Sequence, residues 1–94
     1  MTSFMVVATF KHGTDMADVV AVVPQEQARI AELQAEGKIG ALYLATAARQ
    51  TVFLHTFAES ADEALATVML LPMAAWWDLD AYLLNPPAGT PARP

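Results

Sequence analysis

The chain alternates strand-like and helix-like patterns in an order that few folds can accommodate. Strand patterns, which are alternating or continuous runs of apolar residues, occupy four segments, at 3–10, 39–45, 50–57 and 76–84. Helical patterns lie between the first and second strands and between the third and fourth, at 15–36 and 60–71. Parallel strands need a crossover connection, so the order β-α-β-β-α-β predicts two interleaved β-α-β units. The predicted fold is α+β and ferredoxin-like, a four-stranded antiparallel sheet with two helices on one face.

The first strand pattern is apolar on both of its faces. Phe4 and Phe10 begin and end one apolar face, while Met5 and Val7 lie on the other. A strand of this kind is typical of the middle of a sheet that is covered on both sides. The sequence therefore places the first strand centrally.

Proline and capping residues set the predicted helix boundaries. Pro24 lies inside the first helical segment, and proline is tolerated in a first turn but disruptive later. That segment is either a short turn at 15–22 followed by a main helix from Pro24, or one kinked helix. The run from Ser60 to Glu63 matches a capping box, in which each residue's side chain accepts from the other's backbone N–H. The second helix should end near Leu71, because a proline follows it.

The predicted pairing of the strands leaves one face of the sheet bare. Pairing about a turn at 47–49 puts Leu42, Leu44, Phe53 and His55 on one face, with Tyr43, Val52 and Leu54 on the other. The bare face would then carry six largely apolar side chains, with three polar ones beside them; these are Met5, Val7, Leu42, Leu44, Phe53 and His55, with Asp78, Asp80 and Tyr82. Two such faces predict a homodimer resembling a barrel, with a ligand pocket between helix and sheet.

Composition supports association of the chain with a second copy of itself and argues against nucleic-acid and membrane partners. Of the 94 residues, 55% are hydrophobic and 16% are charged, which is more apolar material than one small core can hide. The net charge of −5 makes nucleic acid and anionic membranes unlikely partners, since both attract basic surfaces. The chain has no cysteine, which excludes disulfides and thiolate chemistry.

Residues 1–85 are predicted to form one domain, with a proline-rich tail at 86–94 that is disordered or packed on a neighbouring chain. No signal peptide pattern is present at the apolar start of the chain. The longest apolar stretch, 64–77, is too short to span a bilayer and contains Pro72. A cytoplasmic protein is expected.

Seven short motifs together carry a family resemblance. In chain order they are Glu32–Lys38 (ELQAEGK), Leu42, Phe53, Glu59–Glu63 (ESADE), Leu71–Met73 (LPM), Asp78–Asp80 (DLD) and Leu84–Pro86 (LNP). Their order and spacing, from about residue 24 to 87, resemble muconolactone isomerase. The resemblance implies a dimeric α/β barrel, often assembled into larger rings, and a cofactor-free proton shift on a small lactone.

The sequence departs from that family at the positions suited to a charged substrate. Where the resemblance implies a histidine and an arginine on the first strand, this chain has Met5 and Val7. A further arginine on the second strand corresponds to Leu44, whereas an acid on the first long helix is retained as Glu26. A mostly apolar, uncharged substrate is therefore expected, lactone-like or polyketide-like.

Four residues are candidate catalytic groups. His55 or Glu26 would be the base, with Asp78 or Tyr82 as the partner acid or oxyanion donor. Three of them also have a structural interpretation: His55 as a buried core histidine, Glu26 as a first-turn acid at a helix start, and Asp78 as a charge that protects an edge strand. The predicted substrate-binding residues are Met5, Val7, Leu44, Phe53 and Trp76. No metal or cofactor is predicted.

Three functions remain open at this point. The first is a cofactor-independent isomerase or cyclase that moves a proton on a small enolisable compound. The second is a non-catalytic module for small-molecule binding or assembly, which the loss of polar residues on the first strand supports. The third is a cofactor-free oxygenase, which shares this architecture.

Overall fold

The computed structural model describes residues 2–46 and 50–85 of the chain. In chain order the elements are β1 (Thr2–Phe10), α1 (Met16–Ala21), α2 (Val23–Ala35), β2 (Ile39–Ala45), β3 (Thr51–Ala58), α3 (Ala61–Val68), a 3₁₀ turn (Pro72–Trp76) and β4 (Trp77–Leu84). The strands form one antiparallel sheet in the order β2-β3-β1-β4. This confirms the predicted α+β, ferredoxin-like fold. The predicted turn at 47–49 and tail at 86–94 lie outside the described residues, so the boundary at 85 stays a prediction.

The first helical segment is two helices and not one kinked helix. The Asp15 side chain caps α1 by accepting from the Ala17 N–H at 2.9 Å. Since α2 begins at Val23, Pro24 falls in its first turn, where the missing N–H has no intrahelical partner to lose. After α2, Gly37 takes a positive φ of 74°, the left-handed geometry that favours glycine beyond a helix C-terminus.

The capping of α3 matches the prediction at one of its two hydrogen bonds. The Ser60 hydroxyl accepts from the Glu63 N–H at 3.2 Å. The Glu63 carboxylate accepts from the Glu59 N–H at 3.4 Å, and not from Ser60 as predicted. The helix ends at Val68, three residues before the predicted Leu71.

The hydrophobic core lies between the sheet and the helices. Phe4 and Phe10 on β1 face it, as do the fully buried Val6 and Leu54. Leu33 brings α2 onto the same core, with no exposed surface. The central position predicted for β1 is confirmed, because it pairs with β3 on one side and β4 on the other.

The faces predicted for β2 are wrong, whereas those predicted for β3 are confirmed. Leu42 pairs with Leu54 and Leu44 with Val52, which places both leucines on the helix side of the sheet. The pairs from Leu42 to Ala45 are symmetric about residue 48, so pairing about the predicted turn in fact leads to this register and the predicted faces of β2 did not follow from it. The irregularity after Ile39, where β2 advances three residues while β3 advances two, places the buried Ile39 on the helix side as well.

The other face of the sheet, here called the open face, carries no helix. It holds Met5, Val7, Phe53 and His55, as predicted, together with Asp78, Asp80 and Tyr82. Tyr43, opposite Phe53, also belongs to it and not to the helix side as predicted. Its tyrosines are largely exposed, Tyr43 at 59% and Tyr82 at 57%.

Candidate functional site

A cavity of about 190 Å³ lies on the helix side of the sheet, against α2. An apolar cavity of about 150 Å³ binds benzene in another protein, so this one has room for a single-ring compound. Its lining comes from α2, β2, β3, the 3₁₀ turn and β4; the residues are Val23, Glu26, Gln27, Ile30, Leu42, Leu44, Val52, Met73 and Trp77. None of these side chains is cationic, and all but Glu26 and Gln27 are mainly apolar.

Glu26 is the buried acid of this cavity. It is 5% exposed, and its Oε1 accepts from the Met73 backbone N–H at 2.9 Å. This N–H is free to donate because it lies in the first turn of the 3₁₀ helix opened by Pro72. The second oxygen, Oε2, has no hydrogen-bond partner among the described residues. Glu26 thus ties α2 to the 3₁₀ turn and keeps one oxygen free.

Burial raises the pKa of Glu26, and the hydrogen bond from Met73 offsets part of that rise. The carboxylate lies in the first turn of α2, where the helix dipole favours its charged form. Desolvation is nevertheless the larger effect. A carboxyl group whose pKa is raised by burial in an apolar cavity is a better proton acceptor than an ordinary exposed carboxylate.

Trp77, the first residue of β4, also lines the cavity. Its ring packs edge-to-face on Phe10, with centroids 6.0 Å apart and planes at 72°. The residue is 4% exposed, and its indole N–H is buried with no hydrogen-bond partner among the described residues. Trp76 was the tryptophan predicted to bind substrate, yet it does not line the cavity and packs half-buried against the core. It ends the 3₁₀ turn, so the alternation of β4, which begins at Trp77, does not extend to it.

The sheet separates the predicted site residues into two groups. Glu26 and Leu44 line the cavity. The remaining strand residues lie on the open face; they are Met5, Val7, Phe53, His55, Asp78 and Tyr82. Within one chain, therefore, His55 and Glu26 lie on opposite sides of the sheet and do not share a site.

His55 lies beside aromatic and apolar neighbours on the open face. Its ring contacts Phe57, with centroids 4.6 Å apart, and it pairs across the strands with Met5. Its Nε2 is buried and unpartnered among the described residues. Over 2–46 and 50–85, no group of three or more His, Cys, Asp or Glu side chains is placed to hold a metal ion. No helix in these ranges is long and apolar enough to cross a membrane.

The fold and the cavity together define a ferredoxin-like α+β protein with a buried acid in a small apolar pocket. The family model described as muconolactone delta-isomerase matches residues 3–87. The chain therefore belongs to the muconolactone delta-isomerase family, as the sequence motifs indicated. Membership points to an isomerase-like or related activity on a small molecule. A search of curated proteins found no match to this chain.

Proposed function

We propose that this protein is a cofactor-independent isomerase or cyclase that transfers a proton on a small, uncharged, enolisable compound, with Glu26 as the acid–base group. The observation that supports it is the buried Glu26 carboxyl, which keeps one oxygen unpaired inside an apolar cavity. Family membership supports the same class of chemistry.

The proposed reaction breaks one C–H bond and forms another. The Glu26 carboxylate removes a proton from a carbon next to a carbonyl group, which leaves an enolate and a neutral carboxylic acid. The acid then returns the proton to another carbon of the conjugated system, which restores the carboxylate. A cyclase would instead add the enolate carbon to a second carbonyl carbon of the same molecule, which breaks that C=O π bond, and the Glu26 acid would give its proton to the resulting alkoxide. A positioned acid–base group contributes typically about 10²–10⁴-fold to such steps.

The lining of the cavity favours a neutral substrate. A carboxylate-bearing lactone would need a cation, yet the position that resemblance associates with an arginine is Leu44. Arg29 lies on the same helix but pairs with Glu32 at 3.2 Å and does not line the cavity. The size and lining of the cavity suit a single-ring lactone or a cyclic ketone.

A second copy of the chain is the proposed cover for the open face. Met5, Val7 and Phe53 are only half-buried there, and they lie beside exposed tyrosines. His55, Asp78 and Tyr82 would belong to that interface, and each would act on a ligand only if one bound between the two sheets. The proposed chemistry therefore depends on Glu26.

Incubation with a panel of neutral butenolides, cyclic enones and cyclic diketones tests the function. Product NMR spectra should show a shifted double bond or a new ring, with no change of mass. The Glu26→Gln variant should lose about 10²-fold or more of that rate, while Glu32→Gln, an exposed acid on the same helix, should keep it.

Two outcomes would favour the other functions. Tight binding with every compound recovered unchanged would indicate a binding module. Oxygen uptake with a mass gain in the product would indicate a cofactor-free oxygenase.

A further inference from the structure

We infer that the indole N–H of Trp77 is the buried hydrogen-bond donor of the cavity and that it recognises a carbonyl oxygen of the ligand. The inference rests on the proposed use of the cavity for a small molecule. It adds a substrate-contacting residue that neither the motifs nor strand parity predicted.

The first observation is the unpaired state of this N–H. Trp77 is 4% exposed, and its Nε1 is one of two fully buried side-chain nitrogens that lack a partner within the described residues. Buried tryptophan N–H groups usually find an acceptor, because an unpaired buried donor is costly. Phenylalanine would pack against Phe10 without that cost. The indole therefore offers a donor that the described part of the chain leaves unused.

The second observation is the place of Trp77 in the cavity. It lines the same space as Glu26, and the lining is otherwise apolar except for Gln27. Tryptophan only donates, so its partner has to be an acceptor such as a carbonyl oxygen. Glu26 would face the neighbouring acidic C–H. A donor at the oxygen where charge develops stabilises the enolate, which is the role of an oxyanion hole.

The Nε1 atom is enclosed, so a ligand reaches it only when a lining side chain moves. Met73 is half-buried in the same lining, and its unbranched thioether chain adapts readily to new shapes. The donor would thus be engaged by a bound ligand and shielded from water otherwise.

Nuclear magnetic resonance with a matched pair of ligands tests the assignment. The ¹⁵N-labelled chain has two tryptophans, hence two indole signals, and Trp76→Phe identifies that of Trp77. Cyclohexanone and methylenecyclohexane have nearly the same shape, but only the ketone has an acceptor oxygen. Both should shift the methyl signals of Ile30 and Leu42, which report filling of the cavity. Only the ketone should move the Trp77 indole proton downfield.

Affinity supplies the second measurement. Trp77→Phe should weaken cyclohexanone binding about tenfold, the usual worth of one neutral hydrogen bond, and leave methylenecyclohexane binding unchanged. Thermal unfolding of this variant checks that it is folded.

Four outcomes overturn the inference. The first two are equal indole shifts with both ligands and equal weakening of both ligands by Trp77→Phe. The others are no binding of either ligand up to its solubility and an upfield indole proton that the ketone does not move. The last would show that the N–H donates to the Phe10 ring. Failure of the proposed function looks different, because the ketone would engage Trp77 while no compound of the panel is converted.

Discussion

At the scale of single residues, Glu26 combines a structural contact with the chemical role proposed for it. Its Oε1 holds the 3₁₀ turn against α2 through the Met73 N–H, while burial raises its pKa. A raised pKa means that the folded chain holds the charged carboxylate less favourably than the unfolded chain does. The same property that suits Glu26 for proton transfer therefore destabilises the fold at neutral pH.

Because burial raises the pKa of Glu26, the effect of Glu26→Gln on the stability of the fold should depend on pH. Below the ordinary pKa of 4.5 the carboxyl is protonated in both states, so the penalty is absent; it develops as pH rises through the raised pKa of the folded state. The glutamine amide oxygen can still accept from the Met73 N–H. The unfolding midpoint of the variant minus that of wild type should therefore become larger as the pH rises from 4 to 7.5.

The matched control for that measurement is Glu32→Gln, which changes an exposed acid on the same helix. It should show no comparable trend with pH. A constant difference between Glu26→Gln and wild type across the pH range would contradict the assigned cause.

Residue-level chemistry was only partly predictable from the sequence. Glu26 was a candidate because it follows a proline at a helix start and because the family resemblance retains an acid there. Its burial was not predictable, since nothing in the local pattern indicates that the 3₁₀ turn approaches it from 47 residues away. Strand parity places Trp77 correctly on the core side of the sheet, but a core position does not indicate that its ring also lines a cavity.

At the scale of elements, the cap of α3 is a short-range feature with a measurable energy. This helix has only eight residues, and the Ser60 hydroxyl satisfies one of its free N–H groups. Ser60→Ala should lower the free energy of unfolding by about 1 kcal/mol. Ser60→Thr, which keeps a hydroxyl, should retain most of it in chemical denaturation. Equal losses in the two variants would show that the cap bond is not responsible.

The β2–β3 hairpin provides a test of the observed register. Leu54 is fully buried, whereas Leu44 on the neighbouring strand is 69% exposed at the cavity. Leu54→Ala should cost about 2–5 kcal/mol of stability, and Leu44→Ala should change it by only about 0.5 kcal/mol. Similar losses for the two leucines, measured by urea unfolding, would contradict this packing.

The hairpin also shows where sequence patterns lose information. Alternation identified both strands and their lengths, but residues 39–45 are apolar on both faces, so either register buries apolar side chains. The pairing of Leu42 with Leu54 and of Leu44 with Val52 decides between them, and a uniformly apolar strand gives no sign of that pairing.

At the scale of the whole molecule, the open face is the feature that the single chain leaves unexplained. The strand register places Tyr82 of β4, Met5 of β1 and His55 of β3 side by side on this face. If a second copy covers this face, sedimentation should give twice the chain mass. Val7→Lys should shift the distribution to monomer, whereas Ala31→Lys, on the exposed side of α2, should not. A wild-type monomer at all concentrations would reject the dimer.

The overall architecture was the most predictable level. The order of strand and helix patterns, with crossover rules, is enough to specify the sheet and the position of β1 within it. The same patterns predicted His55, Asp78 and Tyr82 on the open face, where they lie. The burial of Glu26 at the cavity was not predictable, because it depends on a contact between distant segments.

The exchange of an acidic C–H proton for deuterium tests the central claim most directly. Cyclic ketones and butenolides in D₂O would be followed by proton NMR with wild-type protein, Glu26→Gln and Glu32→Gln. The account predicts exchange catalysed by wild type and by Glu32→Gln, with a rate that rises as pH passes through the raised pKa of Glu26, and loss of catalysis in Glu26→Gln. Catalysed exchange that is equally fast in Glu26→Gln would show that the buried carboxyl is a structural tie between α2 and the 3₁₀ turn and not the base.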